Sequence, residues 1–167
     1  MPTPAYAFFT DENGEDIVGG VTIEDDREVA ESVEVIEFEH EVYIPTDRQT
    51  GKPTGVRMHN PVQIVKAYDQ ASPLLFEACC NGTTLEEVTI KWYRIDALGA
   101  QEEYFNHVLE RVRVCKIESY MPNTKDPTKE SLTHLEKVSL MYDKITWTYV
   151  DGSIETTDAW LGEAEPE

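Results

Sequence analysis

The chain has few basic residues and no long apolar run. It carries 14 lysines and arginines against 33 aspartates and glutamates, which gives a formal net charge of −19. That charge opposes nucleic acid and anionic membrane surfaces as partners, because both are negatively charged. No stretch approaches the roughly 20 consecutive apolar residues that a membrane-spanning helix needs. We therefore expect no nucleic-acid partner and no membrane insertion.

Cysteine is also scarce. The chain has three cysteines, Cys79, Cys80 and Cys115, and two of them are adjacent, where a disulfide would be strained. We expect three buried free thiols, as in a protein that folds in a reducing cytosol. The opening residues, MPTPAYAFFTDENG, lack the basic and long apolar regions of a secretory signal. If the protein leaves the cell, we expect it to use another route.

The four histidines form no recognisable catalytic or metal motif. None of His40, His59, His107 and His134 is spaced with another as a ligand pair. The sequence also has no HExxH motif, CxxC pair, phosphate-binding glycine loop or nucleophile elbow. We expect no catalytic residue, no metal and no cofactor. We interpret His40 and His107 as buried, hydrogen-bonded imidazoles rather than as ligands or bases.

Apolar and polar side chains alternate between residues 35 and 44, as they do in a strand. The predicted core face carries Ile36, Phe38, His40, Val42 and Ile44, and the opposite face carries Glu37, Glu39, Glu41 and Tyr43. Residues 11–41 hold thirteen acidic residues and one basic residue, Arg27. A solvated acidic surface is the simplest interpretation of these carboxylates.

A long polar segment with glycines and prolines follows this strand. It is too long for a tight hairpin, and unstructured connections of this length are uncommon inside compact domains. We expect it to be disordered or to pack on something outside its own domain; an ordinary solvated loop is the alternative. We call this segment the arm, and it comprises Thr46, Asp47, Arg48, Gln49, Thr50, Gly51, Lys52, Pro53, Thr54, Gly55, Val56, Arg57, Met58, His59 and Asn60.

The arm is locally basic beside the acidic strand that precedes it. Arg48, Lys52, Arg57 and His59 supply this character. Opposite charge on two surfaces of the same molecule suits docking of the arm on a neighbouring copy.

One helix is predicted between residues 72 and 82. Ser72 can cap it, Pro73 suits the first helical position, and Asn81 with Gly82 suits the end. Alternation elsewhere predicts strands in residues 5–9, 17–23, 62–68, 88–92, 103–117 and 138–149, with a hairpin across Gly99. Gly19 and Gly20 indicate a bulge or a close approach.

Many strands, one helix and no βαβ rhythm predict a mainly β fold. We expect an antiparallel β-barrel or sandwich with one flanking α-helix and an extended loop. Residues 1–167 form a single domain, with residues 158–167 as an acidic C-terminal tail. Large apolar side chains lie on both sides of the strands around Trp92 and Trp147. We expect another subunit to cover part of the second face, and scattered exposed aromatics are the alternative.

An ordered set of segments resembles one known family. These are MPTPAY, FEHEVYIPTDRQTGKPTGVRMHNP, ASPLLFEACCNG, VTIKWYRIDALGAQEEYFNHVLERVRV, the MPN turn, and EKVSLMYDKITWTY followed by Asp158, Ala159 and Trp160. Together they are similar to Hcp, the haemolysin-coregulated tube protein of the type VI secretion system. The resemblance covers nearly the whole chain and is weakest in residues 11–35.

The resemblance implies a structural protein and not an enzyme. It implies a hexameric ring whose stacked copies form the expelled inner tube and carry or stabilise effectors in the lumen. The implied partners are further copies of the chain, the tip-spike, sheath and baseplate proteins, and effector proteins. The implied location is cytoplasmic before firing and extracellular afterwards. A monomeric secreted β-domain, acting as a hydrolase or a ligand-binding module, is the alternative.

Two surfaces take roles from this resemblance. The arm corresponds to the family's extended loop, which reaches neighbouring subunits or rings. Glu37, Glu39 and Glu41 match, by strand position, the region expected near the lumen. A cargo with a basic patch would suit them, whereas solubility of a highly expressed protein is the rival explanation.

Overall fold

Antiparallel strands and one α-helix make up the part of the chain that the structure describes, residues 3–25 and 27–161 of a computed structural model. The elements are β1 (Ala5–Thr10), β2 (Asp16–Ile17), β3 (Val33–Val35), β4 (Glu37–Glu39), β5 (Val42–Tyr43), β6 (Met58–His59), β7 (Val62–Ala67), α1 (Ser72–Asn81), β8 (Thr84–Ile95), β9 (Gln101–Tyr120), β10 (Leu135–Met141), β11 (Lys144–Tyr149) and β12 (Ile154–Ala159). A 3-10 turn spans Pro127–Lys129. The fold is mainly antiparallel β with a single flanking helix, as predicted.

The strands close into a barrel, which decides between the two predicted architectures. β1 pairs with β8, β8 with β9, β9 with β10, and β10 with β7. β3 then pairs with β1 while β4 pairs with β7. Between them the amide of Ile36 donates to the Val65 carbonyl at 2.8 Å. The pairings therefore return to β1.

The longest strand, β9, serves two parts of the sheet. Its C-terminal half pairs with β10 inside the barrel, and its N-terminal half pairs with β11, which in turn pairs with β12. The backbone of Arg111 adopts a positive φ of 55° near the change from one partner to the other. β12 is consequently an extension of the barrel wall, and it brings the last described residues beside the arm.

Alternate side chains of the strands fill the barrel. Phe9, Ile64, Ile90, Leu109 and Val138 are all at most 1% exposed. The core also receives side chains from the helix, which lies against β9. Its members are Ala7, Phe9, Ile17, Val33, Val62, Ile64, Ala71, Leu75, Ala78, Leu85, Val88, Ile90, Leu109, Val112, Val114, Val138, Leu140, Tyr142 and Ile145.

The helix is confirmed, but its cap differs from the prediction. Pro73 lies in the first turn, and Gly82 ends the helix in the left-handed conformation, with its amide bonded to the Ala78 carbonyl. The N-cap residue is Ala71, which has no side chain that could cap. The Ser72 hydroxyl instead accepts from the Asp69 amide at 3.1 Å and reaches into a buried polar cluster.

The predicted continuous strand over residues 35–44 is wrong. The chain forms three short strands there, because it leaves β1 and joins β7 at Ile36. The change of partner turns the side chain of Ile36 outward, where it is 45% exposed. Val42 and Ile44 are also exposed, whereas Phe38 and His40 remain partly buried on the predicted core face.

The acidic segment before β3 covers part of the outer surface of β1 and β8. Val29 is fully buried against Tyr6 and Tyr93, and the Arg27 guanidinium lies 5.7 and 5.9 Å from the centres of those two rings. At Tyr93 the second face is therefore covered by the same chain, and cover by another subunit stays a prediction for the rest of that face. The predicted close approach at Gly19 is confirmed, since a Cβ there would lie 2.3 Å from the Ser32 carbonyl oxygen.

Two smaller expectations are corrected. The three cysteines are free thiols, but Cys80 and Cys115 are exposed rather than buried. The predicted tail starts too early, because Asp158 and Ala159 belong to β12 and Trp160 packs against the core. Residues 162–167 of that tail lie outside the described residues. No helix within residues 3–25 and 27–161 is long and apolar enough to cross a membrane.

Candidate functional site

The arm is the upper part of an ordered β-hairpin. At its base β5 pairs with β6, which aligns Val42 with His59 and Tyr43 with Met58. Further out, the Thr54 amide donates to the Pro45 carbonyl at 2.8 Å, and Thr46 pairs with Pro53. Of the two options, disorder is therefore wrong, and packing on something outside the domain stays a prediction.

A compact turn closes the tip of the arm. The Asp47 carboxylate accepts from the Gln49 amide at 2.7 Å, and the Asp47 amide donates to the Lys52 carbonyl at 2.9 Å. Gly51 has a φ of +68°, a left-handed conformation that glycine adopts without steric cost. Local hydrogen bonds thus help to hold the tip in shape.

Exposed apolar side chains lie on the arm and on residues 42–44, which lead into it. Val56 is 78% exposed, Ile44 54% and Met58 49%, and Val42 and Tyr43 beside them are exposed as well. An isolated exposed apolar residue is ordinary on a protein surface, but a contiguous group of them marks an interaction site. This group lies on a projecting hairpin, where a second molecule can reach it.

A chain of polar contacts holds the base of the arm to β12. The Arg57 guanidinium donates from Nη2 to Asp158 Oδ1 at 2.7 Å and from Nε to Oδ2 at 2.5 Å. His59 Nε2 lies 2.7 Å from the same Oδ2, and His59 Nδ1 lies 2.6 Å from the Tyr142 hydroxyl. His40 Nε2 lies 2.8 Å from that hydroxyl. We call Arg57, His59, Tyr142 and Asp158 the clasp.

The chemistry of these groups fixes most of the hydrogen-bond directions in the clasp. The Asp158 carboxylate can only accept, so His59 Nε2 carries a hydrogen and donates to it. The Tyr142 hydroxyl has one hydrogen and faces two imidazoles, so it donates to one and accepts from the other. The neighbouring Arg57 lowers the pKa of Asp158, and burial raises the pKa of Tyr142. Asp158 is therefore charged, and Tyr142 is neutral, at neutral pH.

The two histidines interpreted as buried imidazoles are partly or fully enclosed. His107 is 8% exposed, and its Nδ1 accepts from Trp92 Nε1 at 2.9 Å. Burial lowers the pKa of His107 to about 4 and that of His40 to about 4. Both rings are consequently neutral at physiological pH and belong to the aromatic packing around Tyr142.

The predicted basic character of the arm is partly wrong. Arg57 and His59 are bonded within their own chain, and His59 is 6% exposed. Arg48 and Lys52, near the tip, are exposed and form no ion pair with any other described residue. The charge that the arm can offer to a second molecule is therefore confined to its tip.

The three glutamates proposed for the lumen face lie at the other side of the arm's base. Glu37 and Glu39 lie on β4 opposite Phe38 and are exposed, and Glu41 follows them. An open groove of about 550 Å³ is lined by Phe38, Glu39, His40, Glu41, Asn60, Pro61 and Gln63. Lys137 approaches Glu39 at 3.7 Å, whereas Glu37 and Glu41 form no ion pair among the described residues.

Sequence reasoning missed the clasp partner Asp158 and a buried ion pair. Lys66 and Glu136 contact each other with no exposed surface, and the Ser72 hydroxyl joins them. The ion pair could have been predicted from two strands rich in apolar residues that each contain a charged residue, Lys66 in VQIVKA and Glu136 in LEKVSL. Among the described residues there is no group of three or more His, Cys, Asp or Glu side chains that could hold a metal ion.

Comparison with known proteins gives one family. Residues 10–149 match the family model described as "Type VI secretion system effector, Hcp". The chain is 43% identical, over 96% of both sequences, to a "Major exported protein" of Pseudomonas aeruginosa.

Solved structures agree with this match. A double mutant of the Hcp1 protein from the E. coli EAEC 042 pathovar is 43% identical, with a TM-score of 0.82 over 95% of this chain and 99% of that one. The secreted protein Hcp3 from Pseudomonas aeruginosa is 37% identical, with a TM-score of 0.76 over 95% and 99%.

Proposed function

The chain belongs to the Hcp family of the type VI secretion system and is a tube subunit rather than an enzyme, and on this premise we propose that the arm joins its hexameric rings. The alternative of a monomeric hydrolase or ligand-binding module has no support. In the proposed assembly, residues 46–60 of one subunit dock on an adjacent subunit or ring.

The exposed apolar surface of the arm carries this proposal. Val56, Met58 and Ile44 would lose their contact with water on docking, and burial of apolar area is the main driving force for association. The arm is also already ordered by its own hydrogen bonds. A preformed element loses little conformational entropy on binding, so more of the contact energy appears as affinity.

Charge supports the same arrangement. The exposed cations Arg48 and Lys52 lie at the tip of the arm, while the formal charge of the whole chain is −19. A neighbouring copy carries the same large acidic excess, so we expect the tip to dock on a surface of opposite sign. Such complementarity raises the association rate and disfavours wrong registers between subunits.

The lumen face is the second part of the proposal. Glu37, Glu39 and Glu41 line the channel and bind effectors that carry a basic patch. Six copies of an acidic strand in a confined channel would concentrate negative potential, which mainly sets association rate and specificity. The open groove beside Glu39 and Glu41 gives a positively charged side chain a place to enter.

The remaining partners and the location follow from the same role. The assembled tube contacts the sheath around it, the spike at its tip and the baseplate below it. Subunits fold and assemble in the cytoplasm and become extracellular when the tube is expelled. Three free thiols suit that cytoplasmic stage.

Native mass spectrometry of the purified protein tests the assembly. We expect a mass of six chains of 19.0 kDa, and ring-shaped particles with a central channel by electron microscopy. A protein that stays monomeric across micromolar concentrations would contradict the proposal. Rings that still form and still stack when residues 49–55 are removed would contradict only the role given to the arm.

A further inference from the structure

We propose that the clasp sets the direction in which the arm projects, so that the last described strand of the chain controls the arm. Asp158, His59 and Tyr142 are its positioning residues. The consequence for assembly rests on the proposed function of the arm, whereas the clasp itself is a property of one subunit.

The first observation is an interruption in the backbone ladder where the arm leaves the barrel. β4 pairs with β7, aligning Glu39 with Gln63, and the same two stretches of chain pair again further out as β5 and β6, aligning Val42 with His59. The register shifts by one residue between these pairs, where the Asn60 amide donates to the Glu41 carbonyl at 3.0 Å. Regular backbone pairing is therefore broken at the arm's base and fixes the angle between the arm and the barrel only in part.

The second observation is the alternation of side chains along one edge of the arm. Arg57 and His59 contact Asp158. Val56, before Arg57, and Met58, between the two, are exposed. Neighbouring residues of a strand point to opposite faces. By holding two alternate residues, the clasp determines which face of the arm presents its apolar side chains outward.

The third observation is that a single carboxylate connects the elements. Asp158 accepts from both Arg57 and His59, and His59 continues the contact to Tyr142 at the junction of β10 and β11. Trp160 packs on the same site, 5.7 Å from the His59 ring and 5.0 Å from the Tyr142 ring. Since Asp158 lies on β12, a displacement of that strand removes the main polar contact at the arm's base.

Hydrogen–deuterium exchange compares assembled rings of the Asp158→Asn and wild-type proteins, and native mass spectrometry records how much of each protein assembles. The amide that replaces the carboxylate cannot accept from Arg57 through both of its heavy atoms and carries no charge, so the contact at the arm's base weakens. We expect backbone amides of residues 57–60 to exchange about tenfold faster, with no change in β8 and β9 and little change at the tip, residues 47–54, which has its own hydrogen bonds. Glu155→Gln is the matched control, since it removes an exposed carboxylate from the same strand.

Two further variants separate positioning from general stability. Tyr142→Phe removes the hydroxyl between His59 and His40 without changing charge or shape, and should accelerate exchange in the arm by a smaller factor. Asp158→Glu restores the carboxylate and should recover part of the slow exchange. Arm exchange in Asp158→Asn that matches Glu155→Gln would overturn the inference. Acceleration spread equally over β8 and β9 would overturn it too.

The same rings distinguish this inference from the proposed function. If Asp158→Asn loosens the arm and also weakens ring assembly, both are supported. If the arm loosens while assembly and stacking stay unchanged, the clasp is supported and the docking role of the arm fails.

Discussion

Lys66 and Glu136 lie directly opposite each other on β7 and β10, and neither side chain has any exposed surface. Ser72, at the start of the helix, donates to Glu136 at 2.7 Å, and Asp69 lies 3.0 Å from the Lys66 ammonium. The second carboxylate oxygen of Glu136 has no hydrogen-bond partner among the described residues. These contacts therefore link β7, β10 and the helix, and they leave one buried oxygen of Glu136 unpaired.

Removing one member of this pair should be more damaging than removing both. Lys66→Met leaves a buried carboxylate without its cation, and we expect unfolding free energy to fall by about 3 to 5 kcal/mol. The double variant Lys66→Met with Glu136→Leu should regain much of this, because the fully buried carboxylate is gone. Asp69 also loses its cation, but it keeps hydrogen bonds from the Gly20 and Ala71 amides. Urea titrations give the three values. A double variant less stable than Lys66→Met would contradict the argument.

Acid should destabilise the folded protein through His107. Its folded pKa is lowered to about 4, against an ordinary 6.5, so between these values the unfolded chain binds more protons. The folding free energy therefore has its full contribution from neutral His107 above pH 6.5 and loses it as the pH falls towards 4. The loss is at most about 3 kcal/mol. Urea titrations from pH 7.5 to pH 4 measure the loss.

A non-titrating variant isolates that histidine from the many carboxylates. His107→Gln keeps an acceptor for Trp92 and should flatten the decline between pH 6.5 and pH 4 relative to the wild type. His134→Gln, at an exposed position, should leave the decline unchanged. Equal slopes in the wild type and His107→Gln would show that the buried ring does not contribute.

The arm should be needed for assembly and not for folding. Val56→Ser removes a side chain that is 78% exposed, so the subunit should keep its stability within about 0.5 kcal/mol, while the ring population at a fixed protein concentration should fall. Leu98→Ser is the control, since that side chain is 94% exposed in the turn between β8 and β9. Analytical ultracentrifugation compares the two. Equal assembly of both variants would argue against the arm as a contact surface.

The acidic face should govern cargo retention. Changing Glu37, Glu39 and Glu41 to Gln should reduce capture of a cognate effector and make the remaining binding less dependent on salt, because screening acts on the charges removed. The control changes Glu12, Glu15 and Glu28 to Gln, which removes the same charge from the acidic segment before β3. Pull-down from intact rings measures both. Equal retention would favour solubility as the role of the three glutamates.

We expect three free thiols that react with a thiol reagent at unequal rates. Counting under denaturing, non-reducing conditions should give three. In the native subunit Cys80 should react faster than Cys115, whose thiol donates to the Ser139 carbonyl at 3.3 Å and whose pKa is raised by partial burial. Cys80→Ser and Cys115→Ser variants assign the phases. A count of one would indicate a disulfide and overturn the argument from adjacency.

Local patterns predicted the elements whose neighbours are close in sequence. The hairpin of β8 and β9, the helix from Ser72–Asn81 and the close approach at Gly19 all follow from features within a few residues. The prediction of one strand over residues 35–44 was wrong because alternation indicates which side chains share a face of a strand, but not which strand it pairs with. The exchange of β1 for β7 at Ile36 depends on segments about thirty residues away in both directions.

The contacts made by the arm could not be predicted from its sequence. Composition marked residues 46–60 as one segment, whereas the hairpin begins at Val42 and its order comes from pairing across its own length. Arg57 and Asp158 are 101 residues apart in the chain, so their contact leaves no local signal. Counting Arg57 and His59 as available positive charge was the resulting error.

The order in which the barrel closes has a consequence for synthesis. β10 connects β9 to β7, so the barrel of one subunit cannot close until residue 141 has left the ribosome. At about 5–20 residues per second, the nascent chain holds unpaired strand edges for many seconds. The acidic residues 11–41 precede β7 to β10 in the chain. Their like charge opposes contact between neighbouring nascent chains, so we expect it to limit aggregation during the interval in which strand edges are open.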